Sequence, residues 1–344
     1  TSSSEVKTAF NKLKAEGMNK LIFDLRGNGG GLLREAVNIV NFFVPKGSLV
    51  VDTRGRLEEW KNKKYHALNK PLDLEIPIVV LVDGMSASAS EIVAGALQDY
   101  DRAVVVGSRT FGKGLVQQTL DVYFNSKLKV TVAKYYVPSG RCVQKLDYAN
   151  RNTDGLVTEV PDSLLKTFTT KGGRKVIDGR GIDPDVLISD EKPGSILAGL
   201  YKAGVFFEFA NQYVLNHDSI ASPAKFKLTE NDYSKLNAIA AQHKLDYSTQ
   251  TEAALKRFKK IAEQESYLKF AKEEFELLEK KILPNQTSDL QRFKHQIKTI
   301  AENESVSRYY KQSGIVESLV VDDPMVSKGI EYLEASKHRE VVNP

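Results

Sequence analysis

The segment Pro77–Val82 constrains the fold of this 344-residue chain most strongly, because Ile, Val and Leu fill every position after the proline. A strand that is apolar at successive positions is typical of a parallel sheet covered on both faces. Shorter apolar runs at 20–25 and 103–106 also have strand character, and helical patterns follow at 32–43 and 88–97. This alternation predicts an α/β layer architecture.

The sequence predicts two domains, with a boundary near residue 190. Before it, the alternating patterns at 115–122 and 127–137 indicate two strands able to pair, whereas 53–68 is a polar excursion and 145–195 is rich in turn residues. After it, strand patterns nearly vanish, and helical patterns cover 195–214, 230–242, 251–264, 267–283, 288–304 and 324–335. We therefore expect a core over 1–190 and an all-α C-terminal domain over 191–344.

Composition excludes several classes of protein. The net charge of +5 arises from 49 basic and 44 acidic residues, a mixture that gives no basic surface for nucleic acid. No run approaches the ~18 apolar residues of a membrane span, so we expect no stable membrane insertion. Cys142 is the single cysteine and excludes an internal disulfide. The chain opens on Thr1-Ser2-Ser3-Ser4, with neither an initiator Met nor a signal pattern, so we expect upstream sequence; nothing in the sequence indicates an oligomeric state.

Ser88 is the first candidate for chemistry, and it also fits a purely structural role. Ser88 and Glu91 have the spacing of a capping box, in which each side chain bonds to the other's backbone at the start of a helix. The same position favours catalysis, because the free N–H groups and the positive dipole end of a helix stabilise a developing oxyanion. The N–H of Ala89 is then a natural oxyanion donor, as in hydrolases whose nucleophile lies on a strand-to-helix turn.

Lys113 has a nucleotide-binding alternative. Gly107–Lys113 fits the first seven positions of a phosphate-binding loop, but Gly114 lacks the required hydroxyl, and 115–122 reads as a strand where a helix is needed. The other interpretation is a general base: a lysine amine that is neutral because its surroundings between glycines disfavour the charge. Gln117 could orient such an amine without adding a charge that restores the proton.

The glycine-rich turn Gly27–Gly31 follows the first predicted strand. It fails the dinucleotide-binding pattern because Leu32 replaces the last glycine. Its plain interpretation is a turn that needs unusual backbone angles, and its functional one is a second oxyanion donor on a backbone that approaches the reacting carbonyl closely. A Ser-His-Asp triad has poor support, because no histidine lies in a supporting motif.

These segments resemble the tail-specific, or carboxyl-terminal-processing, serine peptidases of family S41. The resemblance rests on 21–31, 80–96 and 110–117, and it continues through 133–141 and 181–185. It spans about residues 5–190. It implies an α/β fold, with a crotonase/ClpP-like catalytic core of β-sheet and helices ahead of the all-α domain.

The resemblance also implies a Ser-Lys dyad without metal or cofactor. It assigns roles to particular residues: Ser88 and Lys113 as the dyad, Gln117 as the residue that steadies the lysine, Gly31 and Ala89 as oxyanion-hole donors, and Glu91 and Asp99 as supporting acidic residues. The implied activity is that of an endopeptidase in the bacterial envelope or periplasm, which cuts protein or peptide substrates with extended C-termini. Such peptidases usually carry an upstream PDZ domain, for which this sequence has no counterpart. A non-catalytic peptide-binding scaffold on the same fold is the alternative.

Overall fold

A computed structural model describes residues 1–152, 154–189 and 192–342. The chain divides into two units: Thr1–Asp190 together with Pro324–Pro344 form the first, and Glu191–Asp323 form the second. The first unit mixes sheets with helices and the second is helical, which confirms the predicted fold class.

The elements of the first unit surround a parallel sheet and an antiparallel one. In chain order they are α1 (Ser2–Ala15), β1 (Leu21–Asp24), α2 (Leu33–Asn41), β2 (Leu49–Gly55), β3 (Lys63–His66), β4 (Ile78–Val82), α3 (Ala89–Asp99), β5 (Val104–Gly107), β6 (Leu115–Asp121), β7 (Lys127–Tyr136), β8 (Leu146–Arg151), β9 (Val157–Glu159), β10 (Thr167–Thr169), β11 (Lys175–Ile177) and β12 (Val186–Leu187).

The second unit is built from α4 to α10, and two further helices end the chain. The bounds are α4 (Ser195–Lys202), α5 (Val205–Leu215), α6 (Glu230–Ala241), α7 (Gln250–Gln264), α8 (Lys272–Ile282), α9 (Gln286–Arg292), α10 (Lys294–Val321), α11 (Pro324–Tyr332) and α12 (Ala335–Val342).

The parallel sheet has the order β1-β4-β5-β12. All five residues of β4 are buried, because successive side chains serve opposite faces. Ile78, Val80 and Val82 pack with residues of α1, α2 and α3, whereas Val79 and Leu81 pack with residues of α11 and α12. The prediction that this strand is buried on both faces is confirmed.

The last two helices differ from the predicted division. The sequence predicts one helical domain over 191–344, whereas the structure places Pro324–Pro344 in the first unit. Met325 and Val326 of α11 cover the sheet face that α1 to α3 leave open. Exposing apolar side chains on that face would cost ~25 cal/mol per Å², so the sheet requires this cover.

The antiparallel sheet has the order β3-β2-β7-β6, which makes β6 an edge strand. β6 and β7 pair as predicted, with Leu115 opposite Lys134 and a register irregularity between Val116 and Gln117. The prediction of a polar segment without strands at 53–68 is partly wrong, because this segment contains the end of β2 and all of β3. The turn-rich region after 145 holds the short hairpins β8–β9 and β10–β11.

In the second unit, an apolar core joins α4, α5, α6, α9 and α10. The predicted helix over 195–214 is two helices, because Gly204 takes a left-handed conformation with φ of 74° that ends the regular path. α10 is interrupted at Lys311, where φ is 58° and ψ is −157°.

Candidate active site

The candidate site lies beyond the carboxyl ends of three neighbouring parallel strands. β4 pairs with β1 on one side and with β5 on the other, so that Asp24 is opposite Leu81 and Val82 is opposite Gly107. The loops after these strands are therefore adjacent, as is usual for sites of open α/β sheets. They carry the glycine turn, Ser88 and Lys113.

One cavity of about 300 Å³ gathers the five residues predicted to be in direct contact with the reacting groups. Gly31, Ser88, Ala89, Lys113 and Gln117 all line it. Its remaining walls come mainly from β6, β7 and the start of α2. No histidine among the described residues lines this cavity, so a histidine-based triad finds no support in the geometry.

Ser88 has a strained backbone. It joins β4 to α3 with φ of 57° and ψ of −116°. A positive φ costs a residue other than glycine on the order of 1–3 kcal/mol and persists only where neighbours enforce it. Buried Ser86 does so in part, because its Oγ donates to the Leu25 carbonyl oxygen (2.8 Å) and accepts from Asp83 N–H (3.0 Å). A strained serine at a strand-to-helix turn is the geometry of a nucleophile elbow.

The glycine turn packs directly against the serine turn. Ala87 N–H donates to the Asn28 carbonyl oxygen at 3.0 Å. Gly30 has φ of 86°, and a Cβ built on it would lie 2.5 Å from the Ala87 carbonyl oxygen and 2.6 Å from Ala89 N. Only glycine fits there. The sequence predicts the turn but does not single out Gly30, whereas Gly31 is exposed and has open space around it.

Asp83 fixes the other end of the glycine turn. Gly27 N–H lies 3.0 Å from both carboxylate oxygens of Asp83, and Met85 N–H donates to Oδ1 at 2.9 Å. The sequence alone does not point to this residue, because an aspartate in a turn is a common local feature. Its contact with Gly27 appears only when β1 and β4 are paired.

Glu91 connects the serine turn to the lysine loop. Its Oε2 accepts from the N–H groups of Ser88 (2.8 Å) and Lys113 (2.9 Å), and its Oε1 accepts from Thr110 Oγ1 (2.6 Å) and Gly112 N–H (2.8 Å). Burial raises the pKa of Glu91 above its ordinary value, and these hydrogen bonds oppose the rise. The carboxylate holds two chain segments at a fixed separation.

Tyr135 provides a second connection between the same segments. Its buried hydroxyl lies 3.0 Å from the Ser88 carbonyl oxygen and also within hydrogen-bond reach of the Lys113 carbonyl oxygen. Burial raises the pKa of Tyr135 well above its ordinary value, so the phenol stays protonated as a donor. The sequence alone does not reveal this role, although strand alternation places Tyr135 on the same face as Ala133 and Val137, which are also buried.

Lys113 is exposed, which differs from the expectation that glycines bury it. Gly112 and Gly114 are buried, but the side chains of Lys113 and Gln117 are open to solvent and Ser88 is half-buried. Within the described part of the chain, the Lys113 amine has no hydrogen bond or ion pair. Desolvation of this amine therefore requires a ligand that covers the cavity.

Asp99 does not line the cavity. It ends α3, the helix that begins next to Ser88, so the two residues are separated by ~15 Å of helix. Asp99 lies 2.9 Å from Arg141 in an ion pair with no exposed side-chain surface on the arginine, and it accepts from Ser139 N–H at 2.8 Å. These contacts join α3 to the segment after β7.

The phosphate-loop alternative for Lys113 is not supported by the local structure. The loop continues into β6, a strand, where a phosphate loop requires a helix. Gly107 has a packing explanation, because a Cβ on it would overlap the Val82 carbonyl oxygen of the neighbouring strand.

Comparison with known proteins agrees with the motifs. Residues 1–149 match the family model described as Peptidase family S41, and residues 196–333 match that described as Probable PDZ-protease, C-terminal helical domain. The chain is 41% identical over 156 residues to the carboxy-terminal-processing protease of Bartonella bacilliformis, which covers 45% of this chain and 35% of that protein. It is 40% identical over 146 residues to the chloroplastic C-terminal processing peptidase of Tetradesmus obliquus, which covers 42% and 30% of the two chains.

Two further relatives extend the comparison. The chain is 44% identical over 142 residues to a probable CtpA-like serine protease of Staphylococcus aureus, covering 41% of this chain and 28% of that protein. Among solved structures it is similar to the photosystem II D1 C-terminal processing protease, with 30% identity over 59% of this chain and 43% of that one and a TM-score of 0.42. The chain spans about a third of the length of these curated relatives, between 28% and 35%. The resemblance indicated by the sequence motifs is thus confirmed, because residues 1–149 match the model of peptidase family S41.

Proposed function

We propose that this chain is part of a serine endopeptidase, with Ser88 as the nucleophile and Lys113 as the general base. The observation that carries the proposal is the strained Ser88 at the start of α3, in one cavity with Lys113 and Gly31. A structural cap needs neither a positive φ nor a lysine in the same cavity. The names of the relatives, which describe proteases and peptidases, agree with this assignment.

The reaction proceeds through an acyl-enzyme. Neutral Lys113 takes the hydroxyl proton as Ser88 Oγ attacks the scissile carbonyl, and the N–H groups of Gly31 and Ala89 hold the oxyanion. Protonated Lys113 then donates to the leaving amine as the C–N bond breaks. Water attacks the ester, gives its proton to Lys113 and releases the acid product, after which Ser88 recovers its proton.

Substrate binding completes this machinery. Lys113 is exposed in the free protein, and a peptide seated in the cavity covers it, removes water and favours the neutral amine. Gln117, beside it on β6, orients the amine through its uncharged amide. Glu91 and Tyr135 hold the backbones of the two loops together in the absence of such a peptide.

The substrate is an extended, unfolded segment near a protein C-terminus. β6 is an edge strand, and its residues Leu115 and Gln117 line the cavity, so a peptide can add to this edge by main-chain hydrogen bonding. A folded substrate has no free strand to offer there. The C-terminal-processing names of the relatives point to the same substrate class.

Two substitutions test the dyad. Ser88→Ala and Lys113→Ala should each abolish cleavage of an unstructured peptide, while circular dichroism and the unfolding midpoint remain close to parental values. Lys175→Ala is the matched control, because Lys175 is an exposed lysine of the same unit that lines neither cavity discussed for substrate. Parental cleavage by the Lys113→Ala protein would remove lysine from the mechanism.

A fluorophosphonate probe separates this function from the alternative of a non-catalytic scaffold. An activated Ser88 is labelled, whereas a scaffold binds the peptide and leaves the serine unlabelled. Peptide binding without labelling of the parental protein would favour the scaffold.

The same proposal places the protein in the bacterial cell envelope. Two of the relatives are bacterial and one is chloroplastic. Among the described residues, no helix has both the length and the apolar character to cross a bilayer. Fractionation of cells that produce the natural protein should recover it with the envelope, and recovery in the cytoplasmic fraction would contradict this location.

A further inference from the structure

A second, larger groove lies next to the candidate active site. It has a volume of about 920 Å³ and is bordered by the end of β2, by β6 and β7, and by the start of β8. Three basic residues line it, Arg54, Arg56 and Lys134, against one acidic residue, Asp147. A groove of this size accommodates a short peptide segment.

Two of the three cations are unpaired. Arg54 lies 2.9 Å from the Asp52 carboxylate and stacks over the ring of Tyr136 at 4.0 Å. Arg56 and Lys134 are exposed, and neither forms an ion pair or side-chain hydrogen bond with any residue in the described ranges. The groove therefore carries two positive charges that have no directly bonded counter-ion among the described residues.

The carboxylate of the single acidic residue of the groove already accepts hydrogen bonds from its own turn. Asp147 Oδ2 accepts from Asn150 Nδ2 at 2.8 Å, and Oδ1 accepts from Ala149 N–H at 3.0 Å. These hydrogen bonds lower the pKa of Asp147, and the nearby positive charge of Lys134 adds a smaller contribution in the same direction. Among the described residues, Asp147 forms no direct ion pair with Arg56 or Lys134.

The walls of the groove are apolar. Leu57 and Tyr148 line it with 58% and 53% of their surfaces exposed, and Leu115 and Leu146 are half-buried beside them. Exposed apolar side chains around unpaired cations are complementary to a peptide that has both apolar side chains and a carboxylate.

The groove is continuous with the candidate active site. Leu115 and Gln117 line both cavities. In addition, buried Gln144 lines the groove and accepts from Gly114 N–H at 2.8 Å, immediately after Lys113. A chain that crosses the β6 edge can thus occupy both cavities at once.

We propose that this groove binds the substrate on one side of the scissile bond, and that Arg56 and Lys134 select a carboxylate of the peptide. The inference depends on the proposed peptidase function for the identity of the ligand as a substrate. The carboxylate is either the C-terminal α-carboxylate or an Asp or Glu side chain, which have the same chemistry for a guanidinium or an ammonium group.

Three peptides of otherwise identical, unstructured sequence test the selection. The first has a Glu residue and a free C-terminus, the second has Gln in place of Glu, and the third has a C-terminal amide. If the groove recognises the Glu side chain, the 344-residue chain should cleave the first peptide with a kcat/KM about tenfold higher than the second. If the groove recognises the C-terminal α-carboxylate, the same difference should separate the first peptide from the third. The Arg56→Gln/Lys134→Gln variant should reduce this preference to less than about twofold, and added salt should reduce it in the parental protein.

The Lys46→Gln/Lys175→Gln variant controls for total charge. Both of these lysines are exposed and lie outside the groove, so the carboxylate preference should remain. Equal kcat/KM for all three peptides with the parental protein would overturn the inference and leave the peptidase function intact.

Binding measured on the Ser88→Ala background separates the two proposals. Fluorescence anisotropy with labelled forms of the three peptides should show the same carboxylate preference, and the Arg56→Gln/Lys134→Gln exchange should remove it. If no peptide is cleaved by the parental protein, a preference in this assay still supports the groove while the peptidase function fails. Binding that ignores the carboxylate overturns the groove in either case.

Discussion

The glycine turn offers a direct test of how the loops of the candidate active site are held together. Gly30 has φ of 86°, and its Cα lies against the serine turn, so that an added Cβ would be 2.5 Å from the Ala87 carbonyl oxygen and 2.6 Å from Ala89 N. Both of these atoms are backbone and cannot rotate away. Gly30→Ala must therefore move one turn relative to the other.

Two other glycines of the same turn separate backbone strain from steric overlap. Gly27 has φ of 66° with open space around it, and Gly29 has open space and no positive φ. Gly27→Ala should lower the free energy of unfolding by ~1–2 kcal/mol through the left-handed conformation alone. Gly29→Ala should change it by less than about 1 kcal/mol and can stabilise the protein, because alanine restricts the unfolded chain.

Gly30→Ala should combine the strain with a displacement of the groups proposed to be catalytic. Non-bonded atoms rarely approach within 3.0 Å of a Cβ, so the contacts at 2.5 Å and 2.6 Å require a shift of about half an ångström or more. A displacement of ~1 Å at a reacting centre reduces the rate ~100-fold. We therefore expect kcat/KM to fall by one to two orders of magnitude in the folded fraction of this variant.

The assay measures kcat/KM for an unstructured peptide, the rate of fluorophosphonate labelling and the free energy of unfolding in urea for all three variants. Gly27→Ala should lose stability and keep most of its activity, and Gly30→Ala should lose both. The reasoning is refuted if Gly30→Ala retains the parental kcat/KM, or if Gly29→Ala loses as much activity as Gly30→Ala.

Three further predictions follow from other contacts. Tyr135→Phe should reduce kcat about 3- to 10-fold with little change in KM, because it removes the hydroxyl that connects the two loops. Steady-state kinetics measure both constants, with Tyr136→Phe as the control. An unchanged kcat would contradict the positioning role of Tyr135. Asp99→Asn should destabilise the protein by ~3–5 kcal/mol in urea unfolding, because it leaves buried Arg141 without its counter-charge. The folded fraction of this variant should keep the parental kcat. A loss of kcat without a loss of stability would instead indicate a catalytic role. Burial lowers the pKa of His338 below 6.5, so the unfolded chain binds the proton more readily and the free energy of unfolding should fall as the pH drops below about 6.5. Urea unfolding of His338→Gln at the same pH values should lack this fall. An identical pH dependence of the two proteins would exclude the histidine as its source.

Local sequence chemistry predicted much of the fold. The apolar run of β4, the turn into α3 and the β6–β7 pair each depend on neighbours close in sequence, and all three are present. The five residues assigned to direct chemistry also share one cavity. Asp99 is the exception, because it lies at the far end of α3, away from the cavity. The family resemblance that singled it out gives no information about its distance from Ser88.

Other features could not be predicted, because periodicity reveals that a face is buried but not what covers it. The pattern of α11 predicts a helix equally well in either unit, and only the open face of the parallel sheet selects the first one. Gly30 and Gly31 are equivalent as letters in a glycine run, yet only Gly30 contacts the serine turn. The sequence shows Tyr135 only as a residue of a strand. The structure adds that its hydroxyl lies between two carbonyl oxygens of different loops.

The sequence by itself determined which chemical groups are present and which local turns display them: a serine at a helix start, a lysine between glycines and a glycine-rich turn after a strand. The tertiary structure decided that these groups line one cavity, because the parallel pairing of β1, β4 and β5 sets three distant loops side by side. It also decided that Lys113 is open to solvent in the free protein. Solvent exposure depends on which distant segments cover a side chain, and no pattern of near neighbours encodes that.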